Sequence, residues 1–155
     1  MTSAKLKKPH SSSLESRVFV ALVTAADRLT QDADRLMKFH GLTGTQYNVL
    51  RILRGAEPSG LPCKGISDRM ISHDPDMTRL LDRMEKHGMI TRERQKDDRR
   101  VVLTRITTQG LDILRKLDIP IEELHRNQFR HVSSARLKSL SAALEEVFPK
   151  TPNCT

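Results

Sequence analysis

Apolar residues recur along the first quarter of the chain at the spacing of an α-helix. Between about Ser13 and Phe39 they follow one another at intervals of four, four, three, four, four and three residues, which aligns them on one stripe. The stripe consists of Leu14, Val18, Leu22, Ala25, Leu29, Ala33 and Leu36. A helix of roughly 26 residues is long for a small chain, and long helices often pack against a partner chain. Packing within its own chain is the alternative.

Two shorter helices are predicted next. Thr43 and Gln46 stand at the spacing of a capping box, so a second helix should begin there and end near Gly55. The stretch 56–62 contains prolines and a glycine and therefore predicts a loop. A short helix follows at about 63–71, and an internal glycine weakens it.

A stronger start signal introduces the next helix, which is predicted to span Asp74–His87. Asp74 is expected to cap this helix, Pro75 suits its first position, and Asp76 complements its positive end. Its buried side should consist of Met77, Leu80, Leu81 and Met84. Gly88 then ends the helix.

A ribbon of two strands is predicted after Gly88. The segments 89–94 and 101–107 read as strands, and the charged run QKDDRR joins them. The order of helix, short helix, helix and ribbon is that of a winged helix-turn-helix, in which the ribbon forms the wing. Residues 41–107 therefore predict a winged helix-turn-helix region. The helix Asp74–His87 is the third helix of this region, and its width suits the DNA major groove.

The rest of the chain is predicted to be helical, so the fold class is mainly α with a small β-hairpin wing. Thr108 or Gln109 begins a long helical region that Pro120 should kink or split. Ser133 or Ser134 caps a final helix, whose apolar residues repeat at intervals of three, four and three. The last helix thus carries an apolar stripe, as the first one does.

Composition adds a basic charge balance to this picture. With 155 residues the chain has the size of one domain. Its formal net charge is +8 and its pI is about 9.9, which favours a polyanionic partner such as nucleic acid. A basic protein without such a partner is the alternative. The segment 1–12 is expected to be a disordered basic tail, and 150–155 a second tail.

Several classes of protein are excluded by what the sequence lacks. Two cysteines are too few for a disulfide framework. No apolar run approaches the roughly 18–20 residues that span a bilayer, and the N-terminus lacks the apolar segment of a secretory signal. The histidines lack the spacing of a helical zinc site, and no phosphate loop or nucleophile elbow is present. We therefore expect a cytoplasmic protein without membrane contact, metal, cofactor or enzymatic activity.

The predicted helix Asp74–His87 and the ribbon offer candidates for DNA contacts. Thr78 and Arg79 lie in the first turns, where recognition helices usually touch base edges. Arg83 and Lys86 lie further along the helix and suit phosphates. The ribbon, residues 91–105, carries six basic residues against three acids, so its local field is positive. A merely solvated charged face is the alternative.

The ribbon tip places Asp98 beside arginines, although phosphates repel acids. A carboxylate can hold an arginine side chain through a bidentate pair, which reduces the entropy lost when that arginine meets DNA. An arginine at such a tip suits a narrow minor groove, where the potential is most negative. Arg92 and Arg94 are further phosphate candidates. Asp76 is a major-groove candidate that would accept from a cytosine amino group unless it caps the helix.

A longer motif, TRLLDRMEKHGMITRERQKDDRRVVLTRITTQG, extends from the third helix through the ribbon. It resembles the signature of the MarR family (multiple antibiotic resistance regulators). The matching positions are Thr78-Arg79, Asp82-Arg83-Met84-Glu85, Gly88, Asp98-Arg99-Arg100, Ile106-Thr107 and Gly110. The run LTGTQYNVLRIL is similar to the second helix of that family, and the similarity covers roughly residues 14 to 148.

The resemblance implies a homodimer. The first helix and the last two helices would interlock with those of a partner copy, so 13–40 and 108–149 are assigned to a dimerisation region and 41–107 to the DNA-binding region. The dimerisation residues on the apolar stripes are Val18, Leu22, Leu29, Leu137, Leu140 and Leu144. By the same resemblance Arg99 and Arg100 are the wing residues for the minor groove, and Asp98 orients Arg100.

The resemblance also implies a regulatory role. The dimer would bind a pseudo-palindromic site on double-stranded DNA and repress a nearby gene in a prokaryotic nucleoid. A small anionic or phenolic ligand, or oxidation, would release it. The ligand pocket is expected between the dimer helices and the winged region. A winged-helix module that contacts a protein instead of DNA is the alternative.

Oxidation sensing has little support in the sequence. The cysteine that peroxide sensors of this family carry near the start of the first helix is absent, because residues 14–22 contain none. Cys63 stands at the head of the short helix, where a thiol pKa can be lowered. A redox-responsive repressor that uses Cys63 is therefore an alternative, and a passive, partly buried thiol is the simpler expectation.

Overall fold

The computed structural model describes residues 13–72 and 74–147 of the chain. The chain divides into two compact units, residues 1–43 and residues 44–155. The tails expected at 1–12 and 150–155 lie outside the described residues. The boundary between the two units falls close to residue 41, where the winged region is predicted to begin.

One long helix, α1 (Leu14–Phe39), accounts for most of the described part of the first unit. Its start is capped, because the Ser13 hydroxyl accepts a hydrogen bond from the Ser16 backbone N–H at 3.2 Å. It ends at Phe39 with His40 as its C-cap, and Gly41 follows with a φ of 74°, in the left-handed region that glycine adopts without strain. The predicted helix is confirmed at both ends.

The second unit contains five helices and one small sheet among the described residues. In chain order its elements are α2 (Gly44–Arg54), β1 (Leu61–Pro62), α3 (Cys63–Ser67), α4 (Met77–Lys86), β2 (Ile90–Arg94), β3 (Val102–Ile106), α5 (Thr108–Gln128) and α6 (Ser134–Val147). The order of helices and ribbon is the predicted one. The fold class, mainly α with a small β wing, is confirmed.

The sheet has three strands instead of the predicted two. Strands β2 and β3 pair antiparallel as the ribbon requires, but β1 pairs with the other edge of β3. The stretch 56–62 is therefore not a loop throughout. Gly60 permits the close approach, because its φ is 72° and a Cβ atom there would stand 2.7 Å from the Thr104 carbonyl oxygen. Any larger residue at this turn would push β1 away from β3.

Helices α3 and α4 are both shorter than predicted. Helix α3 ends at Ser67, short of the predicted end. Helix α4 begins at Met77 and not at Asp74. The Asp74 side chain accepts a hydrogen bond from the Asp76 backbone N–H at 2.8 Å, which closes a turn ahead of the helix. Asp76 therefore takes the N-cap position that the sequence assigns to Asp74.

Helix α5 runs through Pro120 without a break, so of the predicted kink or split, the split does not occur. Its start is capped by Thr107, whose hydroxyl accepts from the Gly110 backbone N–H at 3.1 Å. Leu117 before the proline and Ile121 after it are both buried. Burial on either side of the proline holds the helix together although one backbone hydrogen bond is lost.

The core of the second unit positions α4 and the wing. Its fully buried apolar side chains include Leu50, Leu53, Ile66, Leu81, Met84, Ile90, Leu114 and Leu117. The four residues predicted for the buried side of α4 are confirmed. The Met89 N–H donates to the Met84 carbonyl at 3.0 Å, and the Met89 carbonyl accepts from the Thr107 N–H at 3.1 Å. Helix α4, the wing and α5 are therefore joined through one backbone residue.

Candidate nucleic-acid interface

The outward side of α4 is exposed and basic. Thr78 and Arg79 lie in its first turn, Arg83 and Lys86 lie nearer its C-terminal end, and all four are exposed. These are the positions that the sequence predicts for base and phosphate contacts. Because the other side of α4 is buried in the core, the helix presents this side to any partner, and a helix of this width fits a major groove.

Asp76, the third residue predicted for the major groove, holds the start of the helix. Its Oδ1 accepts from the Arg79 backbone N–H at 3.3 Å, and its Oδ2 lies 3.3 Å from Arg79 Nε. A negative charge here stabilises the positive end of the helix. A contact between Asp76 and a base would have to replace these interactions, and the structure places the residue in its alternative role of helix cap.

The tip of the wing is a tight turn built around Asp98. Its Oδ1 accepts from the Arg100 backbone N–H at 3.0 Å, and its carbonyl accepts from the Val101 N–H at 3.0 Å. Arg100 Nε lies 3.8 Å from the same carboxylate oxygen, and the Arg100 side chain is 96% exposed. The predicted bidentate pair is wrong, because Asp98 directs its oxygen to the backbone. The carboxylate orders the turn from which Arg100 projects.

One flank of the wing is positively charged. Arg94 at the end of β2, together with Lys96 and Arg99 in the tip, lines a surface depression of about 350 Å³. All three side chains are exposed. Cations gathered at one surface raise the local potential felt by a polyanion. Arg99, predicted for the minor groove, thus lies beside Arg94, predicted for a phosphate.

Arg92, predicted as a phosphate contact, is bound within the protein. Its Nη2 lies 2.5 Å from Asp82 Oδ1 and 2.7 Å from Glu85 Oε2, and its side chain is 25% exposed. The hydrogen bonds that its guanidinium donates to Glu85 raise the pKa of Arg92 above the usual arginine value. Two carboxylates therefore already neutralise this guanidinium, unlike the exposed arginines of the wing tip.

Glu85 belongs to this site, although the sequence identifies it only as part of a motif. Asp82 and Glu85 are three residues apart, so they share one side of α4, and Arg92 follows Glu85 by seven residues. Two acids at this spacing, followed by an arginine in the next strand, are the signal that could have revealed the contact. The pairing itself depends on how β2 folds back along α4.

Helices α1 and α6 carry apolar side chains that remain exposed in the single chain. Within α6 no residue is buried. Of the residues predicted for dimerisation, the exposed ones are Val18, Leu140 and Leu144, and the half-buried ones are Leu22, Leu29 and Leu137. On α1 further apolar side chains are exposed outside the predicted stripe, namely Phe19, Val20 and Val23. Apolar surface of this kind marks protein–protein contacts.

A cavity of about 450 Å³ lies between α2 and α5 in the second unit. Its lining includes Tyr47 and Arg51 from α2 and Asp118, Ile121, Glu122 and Arg126 from α5. Burial raises the pKa of Tyr47, and the Arg51 guanidinium carbon lies 5.8 Å from the centre of the Tyr47 ring, within cation–π range. The volume is that of a small-molecule site, and charges of both signs line it.

An ion pair stands at the edge of this cavity. Arg54 Nη1 donates to both carboxylate oxygens of Asp118, each at 3.0 Å. The pair joins α2 to α5, and both side chains remain partly exposed. A molecule that entered the cavity would meet Asp118 with its charge already compensated, and it would meet the Arg51 guanidinium beside the Tyr47 ring.

Cys63 is exposed at the first position of α3, so the expectation of a partly buried thiol is wrong. Strand β1 ends immediately before it, and this short connection leaves the start of α3 at the surface. Within residues 13–72 and 74–147, no group of three or more His, Cys, Asp or Glu side chains is arranged to hold a metal ion. No helix in that part of the chain combines the length and the apolarity needed to cross a membrane.

Two curated relatives match most of the chain. The organic hydroperoxide resistance transcriptional regulator of Bacillus subtilis is 30% identical over 132 residues, which cover 84% of this chain and 86% of that protein. The homoprotocatechuate degradative operon repressor of Escherichia coli is 27% identical over 127 residues, covering 82% of this chain and 84% of the repressor. The model of the MarR family matches residues 42–102.

Solved structures share the fold. The MarR transcription factor from Planctomyces limnophilus is 33% identical, with a TM-score of 0.67 over 86% of this chain and 97% of the other. Sco3205 of Streptomyces coelicolor, solved in complex with DNA, is 21% identical, with a TM-score of 0.79 over 92% and 91%. CouR of Rhodococcus jostii, solved with p-coumaroyl-CoA bound, is 19% identical, with a TM-score of 0.75 over 92% and 99%.

The family model covers the short helix, the recognition helix and most of the wing, which are the elements that build the candidate interface. Relatives at 30% and 33% identity extend the match over 84% and 86% of the chain. The chain belongs to the MarR family of transcriptional regulators.

Proposed function

We propose that two copies of this chain bind a pseudo-palindromic operator on double-stranded DNA and repress the gene beside it. One observation carries the proposal: a capped helix with an exposed basic side and a wing with a projecting arginine stand together in one compact unit. A winged helix-turn-helix uses these two elements to occupy neighbouring grooves. The DNA complex of Sco3205, which has the same fold, supports it.

Each DNA contact follows from where a side chain lies. Thr78 and Arg79 in the first turn of α4 would meet base edges, because the N-terminal residues of a recognition helix reach the groove floor. Exposed cations at the rim would meet phosphates, namely Arg83, Lys86 and Arg94. Arg99 and Arg100 on the wing would enter the minor groove, where the potential is most negative.

Dimerisation would bring two recognition helices to the two half-sites. The half-sites of such operators lie one helical turn apart, about 34–36 Å, so the spacing of the two α4 helices decides whether both bind. The exposed apolar residues of α1 and α6 are the surfaces we assign to the contact between copies. We keep 13–40 and 108–149 as the dimerisation region and 41–107 as the DNA-binding region.

Release would come from a small ligand in the cavity between α2 and α5. The ligand class we propose is anionic or phenolic, because Arg51 offers a cation beside the Tyr47 ring. The cavity lies between α2, the first helix of the winged region, and α5, a helix of the predicted dimerisation region. CouR, with p-coumaroyl-CoA bound, shows that this fold accepts an aromatic acyl ligand. Occupation would alter the spacing of the recognition helices.

The relatives reported above are transcriptional regulators and repressors. We propose that this chain likewise acts through binding alone, without catalysis, in the cytoplasm where a bacterial chromosome lies.

The salt dependence of binding distinguishes this DNA-binding function from the alternative, a winged-helix module that contacts a protein. Operator affinity should fall steeply as salt rises, because phosphate contacts release counterions. Affinity that is insensitive to salt would contradict a DNA-binding role.

Replacing Arg100 with alanine should weaken operator binding about tenfold, or roughly 1.4 kcal/mol, while the free energy of unfolding stays unchanged. The side chain is 96% exposed and contributes nothing to the core. Fluorescence anisotropy with a labelled promoter fragment measures the affinity. Lys116→Ala, which removes an equal charge from the exposed side of α5, is the control. Unaltered affinity in Arg100→Ala would remove the wing from the mechanism.

Replacing Arg79 with alanine should reduce the preference for the operator over random DNA by about 1–3 kcal/mol. The exposed Arg79 lies in the first turn of α4, where base contacts are made. Arg83→Ala is the matched control, because a lost phosphate contact weakens binding to all sequences alike. Competition titrations with operator and scrambled duplexes measure both. Equal losses on both duplexes would make Arg79 a phosphate contact.

A further inference from the structure

Besides the backbone bonds at Met89, the side chain of one arginine joins the wing to the recognition helix. Arg92 lies on β2, and its guanidinium contacts two carboxylates of α4. Nη2 lies 2.5 Å from Asp82 Oδ1 and 2.7 Å from Glu85 Oε2, and Nε donates to the same Glu85 oxygen at 2.9 Å. Charge-assisted hydrogen bonds of this length are the strong ones. Three such contacts fix both the position and the plane of the guanidinium.

The other oxygen of Glu85 fastens the strand itself. Oε1 accepts from the Arg92 backbone N–H at 3.0 Å. Strand β2 is an outer strand of the sheet, in the order β1-β3-β2, so this N–H points away from β3 and would otherwise lack a backbone partner. Glu85 thus binds both the backbone and the side chain of Arg92. It supplies a hydrogen-bond acceptor to the outer edge of β2, close to the core.

These contacts are a poor arrangement for binding a phosphate. One guanidinium faces two carboxylates, so the cluster carries a net negative charge beside the proposed DNA surface. Arg92 is 25% exposed, whereas Arg94, two residues along the same strand, is exposed. A phosphate could reach Arg92 only by displacing one of the two carboxylates. It would then lie close to that negative charge, which repels it.

We propose that Arg92 is a positioning residue, which with Glu85 and Asp82 sets the angle of the wing against the recognition helix and does not contact DNA. The proposal rests on the proposed DNA-binding function. Groove contacts by α4 and by the wing tip must form together. A wing that is already held at the right angle loses less conformational entropy on binding. Freeing the wing should therefore weaken binding without removing a phosphate contact.

Glu85→Gln gives the most direct test, because the two explanations predict opposite signs. The amide keeps the shape of the side chain and removes a negative charge near DNA, so electrostatics alone would strengthen binding. If Glu85 and Arg92 position the wing, the change weakens operator affinity about tenfold. Arg92→Lys should weaken affinity by a similar factor, because an ammonium keeps the charge but not the fork of donors. A simple phosphate contact would survive that substitution.

Two further readouts complete the experiment. In Arg92→Ala the slope of log affinity against log salt should match that of the wild type. In Arg94→Ala the magnitude of this slope should fall by about one, the contribution of one phosphate contact. The double variant Arg92→Ala with Glu85→Gln should lose no more affinity than the larger single loss, because both changes break one unit. A slope reduced in Arg92→Ala, a gain of affinity in Glu85→Gln, or strictly multiplicative losses would overturn the proposal.

Amide hydrogen exchange tests the contact without DNA. The Arg92 N–H should exchange faster in Glu85→Ala, which removes the acceptor oxygen, than in wild type, while amides between β2 and β3 keep their protection. Unchanged exchange would overturn the proposed hold of Glu85 on Arg92 even if the chain binds DNA. A wild-type protein that binds no operator would instead contradict the proposed function, and the exchange result would still decide whether Glu85 and Arg92 hold the wing.

Discussion

Replacing Gly110 with alanine is expected to destabilise the second unit by about 3 kcal/mol or more. A Cβ atom at this position would stand 2.4 Å from the Met89 carbonyl oxygen and 2.8 Å from Ile106 Cγ1. The first of these neighbours is backbone, which cannot turn aside as a flexible side chain can. The Met89 backbone also hydrogen-bonds with Met84 and Thr107. Any shift there displaces the end of α4 and the start of the wing together.

Urea denaturation followed by circular dichroism measures this loss. Gly55→Ala is the matched control, since its Cβ would meet only carbonyl oxygens at 3.6 and 3.7 Å, which is ordinary contact. That variant should be neutral or slightly more stable, because alanine restricts the unfolded chain. If Gly110→Ala proved as stable as the control, the packing of α5 against the turn at Met89 would not be what holds the wing. Operator affinity should fall with stability in Gly110→Ala only.

Replacing Leu140 with glutamate should raise the dimer dissociation constant by at least roughly a thousandfold. Leu140 is 42% exposed on α6, in a helix that buries no residue in its own chain. A symmetric interface would bury the new charge twice, and each unpaired charge costs on the order of 2–3 kcal/mol or more. Operator affinity should fall as well, because two separate copies bind half-sites independently.

Analytical ultracentrifugation over a range of concentrations measures the dissociation constant. Lys138→Glu places the same side chain on the same helix but away from the apolar stripe, and it should leave the dimer intact. Circular dichroism should be alike for both variants, because neither position lies in the core. A Leu140→Glu protein that dimerises like the wild type would exclude this side of α6 from the interface.

The elements that the sequence predicted well are those whose signals are local. The predicted starts of α1 at about Ser13 and of α5 at Thr108 or Gln109 are confirmed, and each is held by a cap within three residues, which needs no distant partner. The buried side of α4 follows from apolar residues at helical spacing, and all four predicted members are buried. The order of helices and ribbon, and with it the fold class, follows from these short-range patterns.

The candidate interface was only partly predictable, because only some of its features are local in the sequence. The sequence places Thr78 and Arg79 in the first turn of α4, and a helix start with exposed residues after it is a local property. It does not distinguish Arg92 from Arg94, because both are arginines on one strand. Only the approach of α4 to β2 shows that Arg92 meets two carboxylates while Arg94 stays exposed.

By itself the sequence determined the periodic helices, the pairing of the two wing strands and the basic side of the recognition helix. Tertiary structure decided the third strand β1, the passage of α5 through Pro120 and the contacts of Arg92. Strand β1 has two residues and no periodicity of its own, and it exists because β3 lies beside it. Periodicity and capping depend on neighbours within one turn, whereas these features depend on partners that only the folded chain brings together.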